Sequence, residues 1–246
     1  MLAVEIKNLH RFYGDFEALK GVTFEIDEGE IFGLIGPNGS GKTTTLRIIA
    51  TILKPSKGVV KVFGYDVVKE ADKVRKLISY LPEEADLYRR LTGLENLMFF
   101  AKIYAKTNDE IKEMVRFGIA ISGLGKRVYD KVETYSKGMR RRLALARTLM
   151  VKPKLAILDE PTSGLDVYAS VNVRDSIRKF VKETGNTVLL SSHNMLEVEY
   201  LCDRVAFISK GKIIAIGSPN ELKEKYGASN LEEAFVKAVE SELEKA

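Results

Sequence analysis

Two kinds of apolar pattern alternate along the chain. Residues 4–6 and 22–26 alternate apolar and polar side chains with turn residues between them, and 59–63 forms a third strand-like run. A period of two turns one face of each strand to a core and the other to water, so this part predicts a small antiparallel N-terminal sheet. Residues 31–35, by contrast, are apolar throughout and lead through GPNGSGKTT into a helical stretch at 43–51. The segments at 155–158, 187–191 and 205–208 are further apolar runs, consistent with parallel strands covered by helices. Between these sets lies a largely helical insert, in which Thr92 and Glu95 have capping-box spacing ahead of LENLMFFAKIYA. The order predicts an α/β fold in one domain, 1–246: a core of about 1–83 and 153–217, an insert of about 84–152, and a short charged helical tail of about 218–246.

Composition narrows the class. At 246 residues, 45% apolar and 30% charged, the chain can bury a sizeable core and is too apolar for a disordered segment. No uncharged apolar run approaches the roughly 18 residues of a membrane helix. The first fifteen residues lack the apolar core of an export signal, and the single Cys202 suits a reducing compartment. The net charge of +5 comes from 39 basic and 34 acidic residues that are interleaved, so no nucleic-acid stripe is expected. Glutamine is absent altogether, an avoidance of a thermolabile amide that resembles heat-adapted proteins, although nine asparagines remain.

Two segments carry chemistry. Gly36-Pro37-Asn38-Gly39-Ser40-Gly41-Lys42-Thr43 fits G-x-x-x-x-G-K-[ST] and sits between a buried strand and a helix. Glycines let backbone amides and the positive helix end wrap a phosphate chain, Lys42 reaches the β and γ phosphates, and the Thr43 hydroxyl suits Mg²⁺. In LAILDEP, a buried strand ends in Asp159, a carboxylate for the Mg²⁺ shell, followed by Glu160, placed to polarise a water. No N-K-x-D motif for reading guanine is present, which argues against a GTPase.

With these motifs, YSKGMRRRLALARTLM, PTSGLD and LLSSHNMLEVEYLCDRVAFISKGKIIAIGSP make nearly the whole chain resemble the ATP-binding subunit of an ABC transporter, exporter-type cassettes in particular. The resemblance implies a P-loop NTPase fold of the ABC ATPase kind and Mg²⁺-dependent ATP hydrolysis coupled to transport. It implies that Tyr13 stacks on adenine, that Thr44 joins the phosphate-loop set, and that His193 contacts the γ phosphate and attacking water. Two subunits would pair head to tail, with Ser136 and the Gly138 amide reaching the opposing ATP and Asp166 coupling the two sites. Glu83 stands where the family usually has glutamine and would take its place near the metal.

The signature departs from LSGGQ at Lys137 and Met139. The helix expected at 94–105 is apolar nearly all round, which implies a partner surface; by resemblance that partner is an integral membrane permease at the cytoplasmic face of the membrane. A soluble ABC-type ATPase acting on nucleic acid or ribosomes would carry paired cassettes or basic extensions, and a non-hydrolysing regulatory module would not keep Asp159, Glu160 and His193.

Overall fold

The computed structural model describes residues 1–244. In chain order its elements are β1 (Leu2–Tyr13), β2 (Phe16–Asp27), β3 (Ile31–Ile35), α1 (Lys42–Ile49), β4 (Lys57–Val62), β5 (Tyr65–Asp66), α2 (Ala71–Arg75), β6 (Ile78–Leu81), α3 (Gly93–Tyr104), α4 (Asn108–Ser122), α5 (Lys137–Leu149), β7 (Leu155–Asp159), α6 (Val167–Thr184), β8 (Thr187–Ser192), α7 (Met195–Leu201), β9 (Arg204–Ser209), β10 (Lys212–Gly217), α8 (Pro219–Lys225) and α9 (Leu231–Leu243). Two compact units divide it: Met1–Ile78 with residues 187–244, and residues 79–186. Residues 245–246 of the expected tail lie outside the described residues.

The first unit holds two sheets. One is antiparallel in the order β2-β1-β4-β5. Val22, Phe24 and Ile26 of β2 are buried, as period-two alternation requires, and Leu19 is buried out of that phase. β1 runs well past the expected strand at 4–6, because its register shifts between Ile6 and Leu9, where Asn8 takes a φ of 48°. The irregularity ends the simple alternation without ending the strand. In the second sheet β3 lies parallel to both β8 and β9, with Ile31 opposite Val188 and Phe32 opposite Arg204. β10 returns antiparallel on β9 through a turn whose residues Lys210 and Gly211 both have positive φ. This edge strand makes the sheet mixed and adds to the expected parallel set.

Gly33 of β3 leaves room for the end of α7: a Cβ there would meet Cys202 Sγ and Val198 Cγ1, each at 2.9 Å. Cys202 is buried, and that burial pushes its thiol pKa well above the usual value. The C-terminal segment is more than a charged tail. α9 is capped by Asn230, and its Leu231, Ala234 and Ala238 are buried.

In the second unit α3 carries the expected capping box: Thr92 accepts from the Glu95 amide at 3.1 Å, and Glu95 accepts from the Thr92 amide at 2.7 Å. α4 ends at Gly123, in the left-handed region that glycine tolerates. Ser176 of α6 donates to the Ile121 carbonyl of α4 at 2.8 Å, tying α6 to the insert's helices. β7 is buried along its whole length and neighbours β6. Among the described residues no helix is long and apolar enough to cross a membrane.

Candidate functional site

The expected residues fall into two clusters, one in each unit. In the first, β3 ends at Ile35 and the chain turns through Gly36–Gly41 into α1. Gly36 has no room for a side chain, since a Cβ would collide with the Ile208 carbonyl and lie 2.8 Å from Ser40 Oγ. Gly41, the N-cap of α1 at φ 109°, would press a Cβ to 2.6 Å from Leu19 Cδ2. Lys42 is buried and donates from Nζ to the carbonyls of Gly36 at 2.7 Å and Pro37 at 3.3 Å. The loop is thus curled around its own ammonium group. The Ser40 hydroxyl is buried with no hydrogen-bond partner among the described residues, although a buried hydroxyl ordinarily has one. A glycine-lined loop at a helix N-terminus, holding a lysine and an unsatisfied hydroxyl, fits a polyphosphate. Pro37, Asn38 and Gly39 are exposed, while Thr43 and Thr44 are half-buried in the first turn of α1.

Two neighbours of this loop were not legible in the motif. The Gly211 amide donates to the Ser40 carbonyl at 3.0 Å, and the Lys20 amide donates to the Gly211 carbonyl at 2.8 Å, so the β9–β10 turn bridges the loop and β2. The second is α9. His193 is exposed at the end of β8, and it lines a cavity of about 330 Å³ with Gly36 and Pro37 on one side and Glu232, Phe235 and Val236 of α9 on the other. The structure therefore brings His193 beside the phosphate loop. Tyr13 is 46% exposed at the end of β1, with the Arg11 guanidinium 4.8 Å from its ring centroid.

The second cluster is built around the end of β7. Asp159 is buried and accepts from the Tyr80 hydroxyl at 3.1 Å. Glu160 is 5% exposed and has a φ of 46°, a strained backbone for a residue with a side chain. Glu83 is exposed and accepts from the Ser163 hydroxyl at 3.3 Å, linking the segment after β6 to PTSGLD. Asp166 caps α6, accepting from the Ala169 amide at 2.8 Å. Ser136 caps α5, accepting from the Met139 amide at 3.2 Å, and Gly138 is buried, with room only for hydrogen against Ala169. Lys137 is exposed, but its ammonium end folds onto Gly164 of PTSGLD. Glu83, Ser163 and Lys137 line a cleft of about 310 Å³ together with Glu84, Asp86, Arg89 and Arg140.

On the same unit α3 buries Gly93, Asn96, Leu97 and Ala101 and leaves Met98, Phe99, Ile103 and Tyr104 exposed. Tyr88 packs edge-on against Phe99, with centroids 5.0 Å apart. The Arg147 guanidinium lies 4.5 Å from the Phe100 centroid and donates to the Asp86 carbonyl at 2.7 Å. One side of α3 is thus core and the other an exposed aromatic patch, which resolves the all-round apolar pattern into two faces.

The chain matches the ABC transporter family over residues 19–163. It is 39% identical over 246 residues to the linearmycin resistance ATP-binding protein LnrL of Bacillus subtilis (strain 168), covering 97% of this chain and 79% of LnrL. Identity is also 39%, over 229 residues, to the daunorubicin/doxorubicin resistance ATP-binding protein DrrA of Streptomyces peucetius, covering 93% of this chain and 69% of that one. Among solved structures it superposes on the dimeric, post-hydrolysis ATP-binding cassette MJ0796, bound to ADP and Pi. The TM-score is 0.76 and the identity 27%, over 87% of this chain and 98% of that one.

Proposed function

The chain belongs to the ABC transporter family as an ATP-binding subunit with ATPase activity, and on that premise we propose that it works as one of a head-to-tail pair driving export through an integral membrane permease. The observation that carries the nucleotide assignment is the phosphate loop, where Lys42 and the unsatisfied Ser40 hydroxyl stand in a cradle that a methyl group at Gly36 would fill. Lys42 exchanges its two carbonyl partners for phosphate oxygens, a charge-assisted contact of about twice the usual strength. Thr43, Asp159 and Glu83 each offer an oxygen of the kind Mg²⁺ prefers, and the ion when bound would neutralise charge on the phosphates.

Glu160 takes the proton of the attacking water, and His193 holds that water and the γ phosphate in place. Tyr13 offers a ring face for adenine. Ser136 and the Gly138 amide serve the opposing subunit's nucleotide, and Asp166 joins the two sites. The exposed face of α3 with Tyr88 supports a docking surface for the permease, and a peripheral position on the cytoplasmic side of the membrane goes with that reading. The names of LnrL and DrrA, both drug-resistance proteins, support export as the direction.

Glu160→Gln tests the reading. Removing a general base lowers turnover by roughly 10² to 10⁴-fold, while ATP binding measured by calorimetry stays at the parental level. Parental turnover in this variant would show that Glu160 is not the base.

A further inference from the structure

Arg141 lies on α5, five residues after the cap Ser136, and has no part in the roles assigned above. It is 8% exposed, an unusual depth for arginine. All of its guanidinium donors reach backbone carbonyls: Nε to Pro161 at 2.8 Å, Nη1 to Pro82 at 2.8 Å and Glu83 at 2.9 Å, and Nη2 to Asp159 at 2.8 Å and Glu160 at 2.9 Å. Three consecutive carbonyls, Asp159 to Pro161, bracket the residue whose φ is 46°. A strained backbone of that kind persists only where its surroundings over-determine it. The remaining two bonds hold the segment carrying Glu83.

We propose that Arg141 is the positioning residue of the hydrolytic step: one planar cation fixes the strained backbone of Glu160 and ties it to the Glu83 segment and to the helix that starts at Ser136. This rests on Glu160 being the base. Only guanidinium has five donors in a rigid fork. Lysine keeps the charge but has three donors on one atom, too few and too closely set for carbonyls from two segments. Because α5 also presents Ser136, engagement of an opposing nucleotide there and the aim of Glu160 are read by one rigid element.

The test uses Arg141→Lys and Arg141→Met in the full chain, with kcat, ATP affinity and melting temperature measured for each. The expected result for Lys is a fall in kcat of about 10²-fold, the size of a small misplacement of a catalytic group, with ATP affinity kept. The loss persists when the assay is run far below the variant's melting temperature, where a merely destabilised protein recovers its rate. Methionine removes all five donors at once; if that variant does not fold, Lys decides. Parental kcat in folded Arg141→Lys beside an inactive Glu160→Gln would overturn the clamp alone. So would a loss of kcat matched by an equal loss of ATP affinity. Parental turnover in Glu160→Gln would instead remove the base assignment beneath it.

Discussion

The phosphate loop and the end of β7 are both built to hold a few atoms still, and they do so by opposite means. At the loop, backbone packs on backbone: Gly36 lies against the Ile208 carbonyl, Gly41 against Leu19, and the Gly211 amide holds the Ser40 carbonyl. At the end of β7 the backbone is held by a side chain, with Arg141 spanning five carbonyls. The first region is broken by adding atoms and the second by removing them. A loop that must approach phosphate oxygens closely has no space for side chains. A backbone at positive φ such as that of Glu160 is held by a donor array, here brought by one long polar side chain.

The largest expected effect comes from adding one methyl group. Gly36→Ala forces a Cβ onto a backbone carbonyl that cannot rotate away, so overpacking costs about 3 kcal/mol or more and nucleotide binding is lost, as calorimetry with ADP will read. Gly39→Ala, three residues on, meets nothing within 4 Å and bears only the strain of its φ of 77°, roughly 1 to 2 kcal/mol. Equal losses at the two positions would dissolve the contrast.

Next in size is the opposite operation. Ser136→Ala removes the cap of α5 and costs about 1 kcal/mol in melting experiments, with monomer affinity for ATP unchanged and ATP-induced dimerisation, followed by light scattering, impaired. Equal loss of monomer affinity would contradict the cross-subunit role. Gly164→Ala is milder than Gly36→Ala, because the group in its way is the far end of a flexible lysine; a φ of 65° sets the cost at roughly 1 kcal/mol, read in the melting temperature.

The smallest effect lies on α9, away from both devices. Glu233 accepts from the Ser229 amide at 2.7 Å, the Ser229 hydroxyl at 2.8 Å and Lys237 at 2.8 Å, which pull its carboxyl from 4.5 to about 2. A folded pKa below the unfolded one gives stability that is complete above about pH 4.5 and is lost as the pH falls toward 2. Glu233→Gln therefore melts slightly below the parent at pH 6, and the difference closes as the pH approaches 2. A gap that stays constant across that window would show that the pairing does not stabilise the fold.

The phosphate loop could be read from residues 36–43 because its requirements are local: glycines, one lysine and a helix start lie within eight positions. The capping box of α3 was legible for the same reason. Arg141 was not, since its five carbonyls come from segments about 20 and 58 residues away, and one more basic residue in RRR carries no mark of burial. Gly211 was hidden likewise, as a glycine in a hairpin turn looks the same whether or not it touches Ser40. The length of β1 escaped because the register shift after Ile6 breaks the period that identifies a strand. The place of α9 beside His193 depends on packing that a run of Glu and Lys does not announce.

Cys202 gives the molecule a built-in reporter. It is the sole thiol of the sequence, and it lies against Gly33 in the strand that feeds the phosphate loop. Burial raises its thiol pKa and shields it from reagents, so labelling is slow while the side chain stays packed against β3. Timing that labelling with and without nucleotide turns an inert packing residue into a clock for motion at the base of the loop, with no foreign probe introduced.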